Sequence, residues 1–121
     1  MHELSIALSI IELASEEAAR HDAARVSALY LRLGPLSGVL KEALTFSFKI
    51  ACEGTLLEGS KLLIEDVPVV IHCARCHEDA RVENIQDLRC PRCGDLAADI
   101  IHGRELELVS LELAEVEEVT I

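Results

Sequence analysis

His72-Cys73-Ala74-Arg75-Cys76-His77, then thirteen residues further on Cys90-Pro91-Arg92-Cys93-Gly94, is the stretch on which the fold turns. Two Cys-x-x-Cys knuckles at this separation bring four sulfurs to one point if the chain between them folds back, and Ala80 to Ile85 can form that hairpin. Pro91 stiffens the second knuckle and Gly94 supplies the turn after it. A tetrahedral set of four thiolates suits Zn(II), which imposes no geometry of its own and accepts soft donors. Iron in a rubredoxin-like site is the main rival for the same ligands, and a disulfide or redox pair is the third reading. With Cys73, Cys76, Cys90 and Cys93 filling all four positions, no place is left for water or substrate, so the expected role is structural. A zinc deaminase needs a His-x-Glu ahead of its Pro-Cys-x-x-Cys, and that motif is absent. Some thirty residues with few large apolar side chains do not fold alone. Metal binding in small zinc modules supplies on the order of 10 kcal/mol. His72 and His77 flank the first knuckle and are read as solvated or supporting groups; the sharper alternative is that one of them replaces a thiolate.

On the N-terminal side of this module the pattern is helix, strand, helix, strand. Ser5, Ser9, Glu12 and Glu16 mark a polar stripe, opposed by Leu4, Ala7, Leu8, Ile11, Ala14 and Ala18. Arg25 to Leu33 alternates as a strand, and Gly34-Pro35 stops it. Ser37-Gly38 opens a second helix with Leu40, Ala43, Leu44, Ser47 and Ala51 on one face and Phe46 and Ile50 beside it. Lys61 to Ile71 reads as a second strand, in which Pro68 predicts an edge or a local break. Beyond the module, Arg104 to Val119 reads as a third long strand whose alternation changes phase, as a bulge near Val109 or Ser110 would explain. The predicted class is α+β: a small three-stranded sheet with two helices on one face, plus an inserted zinc-ribbon-like module. Residues 1–71 and 104–121 would form the α/β domain, and residues 72–103 the insert.

The chain has 121 residues, half of them apolar, enough for one core with a small insertion. It carries 22 acidic and 11 basic side chains, a net charge of −11, and its aromatic residues are Tyr30, Phe46 and Phe48. That charge repels phosphate backbones and those rings do not make a base-stacking platform, so nucleic-acid binding is not expected. No apolar run approaches the roughly 18 residues of a membrane span, and no basic n-region of a signal peptide is present. A cytoplasmic location is expected, where paired cysteines serve as ligands more often than as disulfides. There is no Gly-x-x-x-x-Gly-Lys-Ser/Thr loop and no nucleophile–base arrangement, and His21 and His102 stand isolated. An enzyme is not expected.

Met1-His2-Glu3 adds a second metal motif. At a free chain end the α-amine, the His2 backbone nitrogen and the His2 imidazole can close adjacent rings around one ion, with Glu3 supplying a carboxylate or backbone nitrogen. Nitrogen donors in a tetragonal plane suit Ni(II) or Cu(II). A large second residue disfavours removal of Met1, so the amine is that of Met1. Alone this is a weak signal, since a histidine at position two is usually accidental.

Taken together, Met1-His2-Glu3 leading into an amphipathic helix, the stretch Leu31 to Gly38, the turn region Gly54-Thr55 to Glu58-Gly59 and the paired knuckles resemble the HypA/HybF family of hydrogenase maturation nickel chaperones along the whole chain. The resemblance implies that His2 is the principal nickel ligand, with Met1 and Glu3 completing or supporting the site, and that Cys73, Cys76, Cys90 and Cys93 hold structural zinc. It implies delivery of Ni(II) to the large-subunit precursor of a nickel–iron hydrogenase, together with a maturation GTPase, and in some members service to urease maturation factors. Cys52 has no such role and is read as a small buried apolar residue. The competing readings are a zinc-ribbon interaction module with an incidental N-terminal triplet, and a small iron–sulfur-type electron carrier. Either a monomer or a homodimer is compatible, the latter by exchange of the C-terminal strand.

Overall fold

The computed structural model describes residues 2–97, 99–114 and 117–121. The chain runs α1 (His2–Arg20), β1 (Val26–Leu33), α2 (Lys41–Ala51), β2 (Lys61–Asp66), β3 (Val69–Cys73), β4 (Glu78–Val82), β5 (Asp99–His102), β6 (Leu106–Leu113) and β7 (Glu117–Thr120). Among the described residues the strands form two sheets, ordered β2-β1-β6-β7 and β4-β3-β5. Two compact units result: Met1–Leu31 with Val39–Glu65 and Glu107–Ile121, and Arg32–Gly38 with Asp66–Leu106. The α+β class with two helices and a cysteine module holds.

In the first unit α1 packs on α2. Ser5, Ser9, Glu12 and Glu16 face water as the pattern predicts, and Ala7, Ile10, Ile11, Ala14 and Ala18 are buried. Leu8, expected on the buried face, is exposed. Three alanines line the buried stripe and permit close packing there, which leaves larger neighbours at the rim. On α2 the buried residues are Leu44 and Phe48, followed at the same spacing by Cys52. Leu40 is exposed rather than on the apolar face, as are Phe46 and Ile50. Buried Leu29, Leu31, Leu57, Leu111 and Leu113 complete this core.

β1, α2 and β2 make a crossover. Ser60 Oγ donates to the Val26 carbonyl at the start of both strands, and Val67 N–H donates to the Leu33 carbonyl at their end, so β1 and β2 run parallel. The first sheet has four strands, not three. The segment expected as one bulged strand is a hairpin: β7 folds back antiparallel on β6, pairing Leu111 with Val119 and Glu112 with Glu118. Both members of the first pair are buried. The change of phase therefore marks a reversal of direction, with Glu115 and Val116 outside the described residues. Lys61 to Ile71 is likewise two strands in different sheets, because Pro68 has no N–H with which to continue a ladder.

The second unit is a three-stranded antiparallel sheet whose small core holds Val69, Ile71, Cys73, Val82 and Cys90, packed with Leu36, Leu88 and Ile100. It extends beyond residues 72–103, taking in Arg32–Gly38 and the residues from Asp66 to Leu106. Gly34 does more than end a strand. Gly34 N–H donates to the Glu105 carbonyl at 2.8 Å and Leu36 N–H to the Gly103 carbonyl at 2.7 Å. A Cβ on Gly34 would lie 2.1 Å from the Gly103 carbonyl oxygen, so only glycine permits this approach.

Candidate metal centre

The first knuckle is the turn between β3 and β4. Cys73 ends β3 opposite Glu78 of β4, and His77 takes a left-handed conformation (φ 56°) to close the turn. Within it, Cys76 N–H points at Cys73 Sγ from 3.4 Å. The second knuckle is held by Cys90 N–H to the Asp95 carbonyl (2.8 Å) and Gly94 N–H to the Cys90 carbonyl (2.9 Å), with Gly94 at φ 80°. The Arg89 guanidinium adds a bond to the Gly94 carbonyl at 3.1 Å. Two ion pairs link the knuckles reciprocally: Arg92 of the second with Glu78 after the first, and Arg75 of the first with Asp95 after the second (3.6 Å). Both pairs are exposed and serve register more than stability.

The four sulfurs lie within 4.8 Å of one another, with Cys73–Cys93 at 3.5 Å and Cys76–Cys90 at 3.9 Å. A disulfide would bring two of them to about 2.05 Å, and all are free. A tetrahedron of sulfurs around zinc, each about 2.3 Å from the ion, has edges of about 3.8 Å. The residues present therefore fit a four-thiolate ion. Cys73 and Cys90 are buried, while Cys76 and Cys93 are half-buried. Backbone N–H groups of Cys93 and Arg92 pull the Cys90 thiol down to about 7. Hydrogen bonding to Cys93, with burial, pushes Cys76 up to about 12. Thiols this close do not all ionise unaided, and a divalent cation between them removes the conflict.

Neither His72 nor His77 joins the cluster. His72 Nδ1 sits 2.8 Å from Asp79 Oδ1, directly across the β3–β4 ladder. Cys52 lies buried at the C-terminal end of α2, its thiol pushed up to about 11 by that burial, so it is no ready ligand.

The N-terminal triplet is placed in part. Met1 lies outside the described residues. α1 begins at His2, whose side chain is 61% exposed, with Nδ1 3.8 Å from Glu3 Oε2. Glu3 Oε2 is also 3.5 Å from the Leu40 N–H at the start of α2, a helix end without a side-chain cap of its own. Sequence reasoning missed that contact, because thirty-seven positions separate its partners. Among the described residues no other group of three or more potential ligand side chains converges, and no helix is long and apolar enough to cross a membrane.

Comparison with known proteins agrees with this arrangement. Residues 1–113 match the family model described as "Hydrogenase/urease nickel incorporation, metallochaperone, hypA". The hydrogenase maturation factor HypA of Chloroflexus aurantiacus is 53% identical over 112 residues, 93% of this chain and 98% of that protein. The factor of the same name from Thermomicrobium roseum is 38% identical over 128 residues, with the same coverage. In structure, the chain is similar to the nickel metallochaperone HypA from Helicobacter pylori, with a TM-score of 0.64 and 26% identity over 92% of this chain and 96% of that one. A second solution structure of a HypA protein gives a TM-score of 0.69 at 27% identity, covering 93% and 96%. Matched in this way along nearly its full length, the chain belongs to the HypA family of hydrogenase and urease nickel-incorporation metallochaperones, which are maturation factors and not enzymes.

Proposed function

We propose that this chain binds Ni(II) as cargo at Met1, His2 and Glu3 and delivers it to the large-subunit precursor of a nickel–iron hydrogenase, acting with a maturation GTPase in the cytoplasm. In this reading the first unit carries nickel, and the four cysteines of the second hold zinc for structure alone. The observation that carries it is the placement of His2: exposed, in the first turn of α1, beside the Glu3 carboxylate. The first turn of a helix leaves its N–H groups without intrahelical partners, so the His2 and Glu3 amides are open to metallation. A bare cation at this end opposes the helix dipole. Loss of amide protons to nickel and the nearby Glu3 charge offset that opposition. A chain end is also accessible to an acceptor's ligands, which suits release better than a closed cage does. Imidazole and amide nitrogens must lose protons to bind, so affinity falls as pH falls.

The test is nickel titration of zinc-loaded protein beginning at Met1. One equivalent is expected to bind, with binding lost in His2→Ala and again when one residue is added before Met1. Unchanged binding in both variants would leave the zinc-ribbon interaction module as the better reading. Service to urease follows the family description and is tested by adding purified urease maturation factors to the loaded protein.

A further inference from the structure

Apart from the four cysteines, the register of the second sheet brings a further set of metal-binding side chains to one face. Val69, Ile71 and Cys73 of β3 point into the small core, so Val70 and His72 stand on the opposite side. His72 is paired with Asp79 of β4 and with Asp99 of β5, which places a carboxylate on either side of its ring. Val70 is paired with His102 of β5, and that pairing depends on an irregularity. From Ile71 opposite Ile100, a regular ladder would continue to Val70 opposite Ile101 and set His102 against Val69 on the core side. The register shifts between Ile71 and Val70, so His102 comes instead to the face of His72. The two histidines are then diagonal neighbours on adjacent strands, about 7–8 Å apart and within reach of ring side chains.

Both rings are held in the same way. His72 Nδ1–H donates to Asp79 Oδ1 at 2.8 Å, and His102 Nδ1–H donates to Glu105 Oε2 at 2.9 Å. Glu105 is fixed in turn by Gly103 N–H, which donates to its Oε1 at 2.7 Å. An ionised carboxylate only accepts, so the neutral ring carries its proton on Nδ1 and keeps a lone pair on Nε2. A carboxylate on Nδ1 is how metal-bound histidines are oriented, and here the arrangement occurs twice on one face. Both rings are partly exposed, which leaves them open to an ion from solvent. Asp79, Asp99 and Glu105 make the face favourable to a cation. The one guanidinium in the paired rows, that of Arg81 opposite Val70, is engaged by Glu83 at 3.8 Å. The ring nitrogens and the Asp99 carboxylate stand near one another without forming a closed cluster, and side-chain rotation closes it.

We propose that the outer face of the β4-β3-β5 sheet is a second metal site, at which His72 Nε2, His102 Nε2 and the Asp99 carboxylate take up one divalent transition ion of the Zn(II) class. Imidazole nitrogen with a carboxylate oxygen suits such ions. Three protein ligands leave a fourth position for water, so this ion exchanges readily, where four thiolates would enclose theirs. All the ligands lie in the second unit, and the proposal is independent of nickel binding at the chain end.

Nitrogen-15 NMR of the imidazole rings tests it, recorded while Zn(II) is titrated into the full chain already zinc-loaded at its four cysteines. The Nε2 resonances of His72 and His102 should shift together with one midpoint, while both Nδ1–H groups are retained. His72→Ala should raise the midpoint of the His102 shift about tenfold or more. Because His72 adjoins Cys73, Asp99→Asn provides a second arm: it should raise the shared midpoint about tenfold with the cysteine-bound zinc retained. Cysteine-bound zinc content and the amide spectrum of β3 check that each variant is folded. Separate midpoints for the two rings, or a His102 shift indifferent to His72→Ala, would mean that single histidines bind one ion each, and would overturn the proposal. No shift at either ring in excess Zn(II) overturns it as well, as does a midpoint unchanged by Asp99→Asn.

Discussion

Gly34 shows how much a single residue decides here. Its φ is not among the positive ones, so its need for glycine is one of space: the Gly103 carbonyl oxygen occupies the position a methyl group would take. Gly34→Ala should lower the stability of the second unit by about 1–3 kcal/mol, as overpacking does. Chemical denaturation of zinc-loaded protein would measure this. Cys90 acts through charge. Its sulfur is stabilised as thiolate by two backbone N–H groups, the state in which a cysteine can take a cation. Cys90→Ser should release zinc and loosen the second unit while nickel still binds at the chain end. Metal analysis with a parallel nickel titration checks both, and joint loss of the two metals would contradict the division of roles. The cysteines were legible in the sequence because their spacing is local; the reason for Gly34 was not, because its partner Gly103 lies far along the chain.

At the scale of elements, β1, β6 and β7 are tied by a polar cluster. Ser27 Oγ donates to the Glu112 carbonyl at 2.9 Å, and the Tyr30 hydroxyl reaches Glu112 Oε2 at 3.1 Å. Glu118 stands directly across from Glu112. The hydrogen bond to Glu112 raises the Tyr30 phenol above its ordinary value, followed by burial and the charges of Glu112 and Glu118. The folded state thus favours the neutral phenol. Its stabilisation is complete below the ordinary value near 10 and is lost as pH rises through the raised folded value. Tyr30 is the sole tyrosine and there is no tryptophan, so ultraviolet absorbance reads this titration directly. Glu112→Gln should move it back toward the ordinary value. The helices were legible from periodicity, because a 3.6-residue repeat of alanine, isoleucine and leucine is its own signal. The β6–β7 hairpin was not, since a phase change looks alike whether a strand bulges or turns back.

For the whole molecule, the two units hold themselves together by different means. The first has large buried side chains, among them Leu29, Leu31, Leu44, Leu57, Leu111 and Leu113. In the second, cysteines make up part of a small core, so an ion held by them would replace packing that apolar residues otherwise supply. Chelation of zinc should therefore melt the β3–β4–β5 sheet and leave α1 and α2 folded. Amide exchange should show protection lost from Val69 to His102 and retained across both helices. Loss of the helical signal together with the zinc would mean that the two units fold as one.

The sequence by itself determined the four-cysteine cluster and the class. Ligand type, knuckle spacing and helical periodicity are local properties, and each survives reading one residue after another. Only the tertiary structure decided that Arg32–Gly38 belongs with the cysteine module and that Glu3 reaches the start of α2. These depend on backbone approach between segments far apart in the chain, which is set by packing and leaves no periodic mark on the residues that meet.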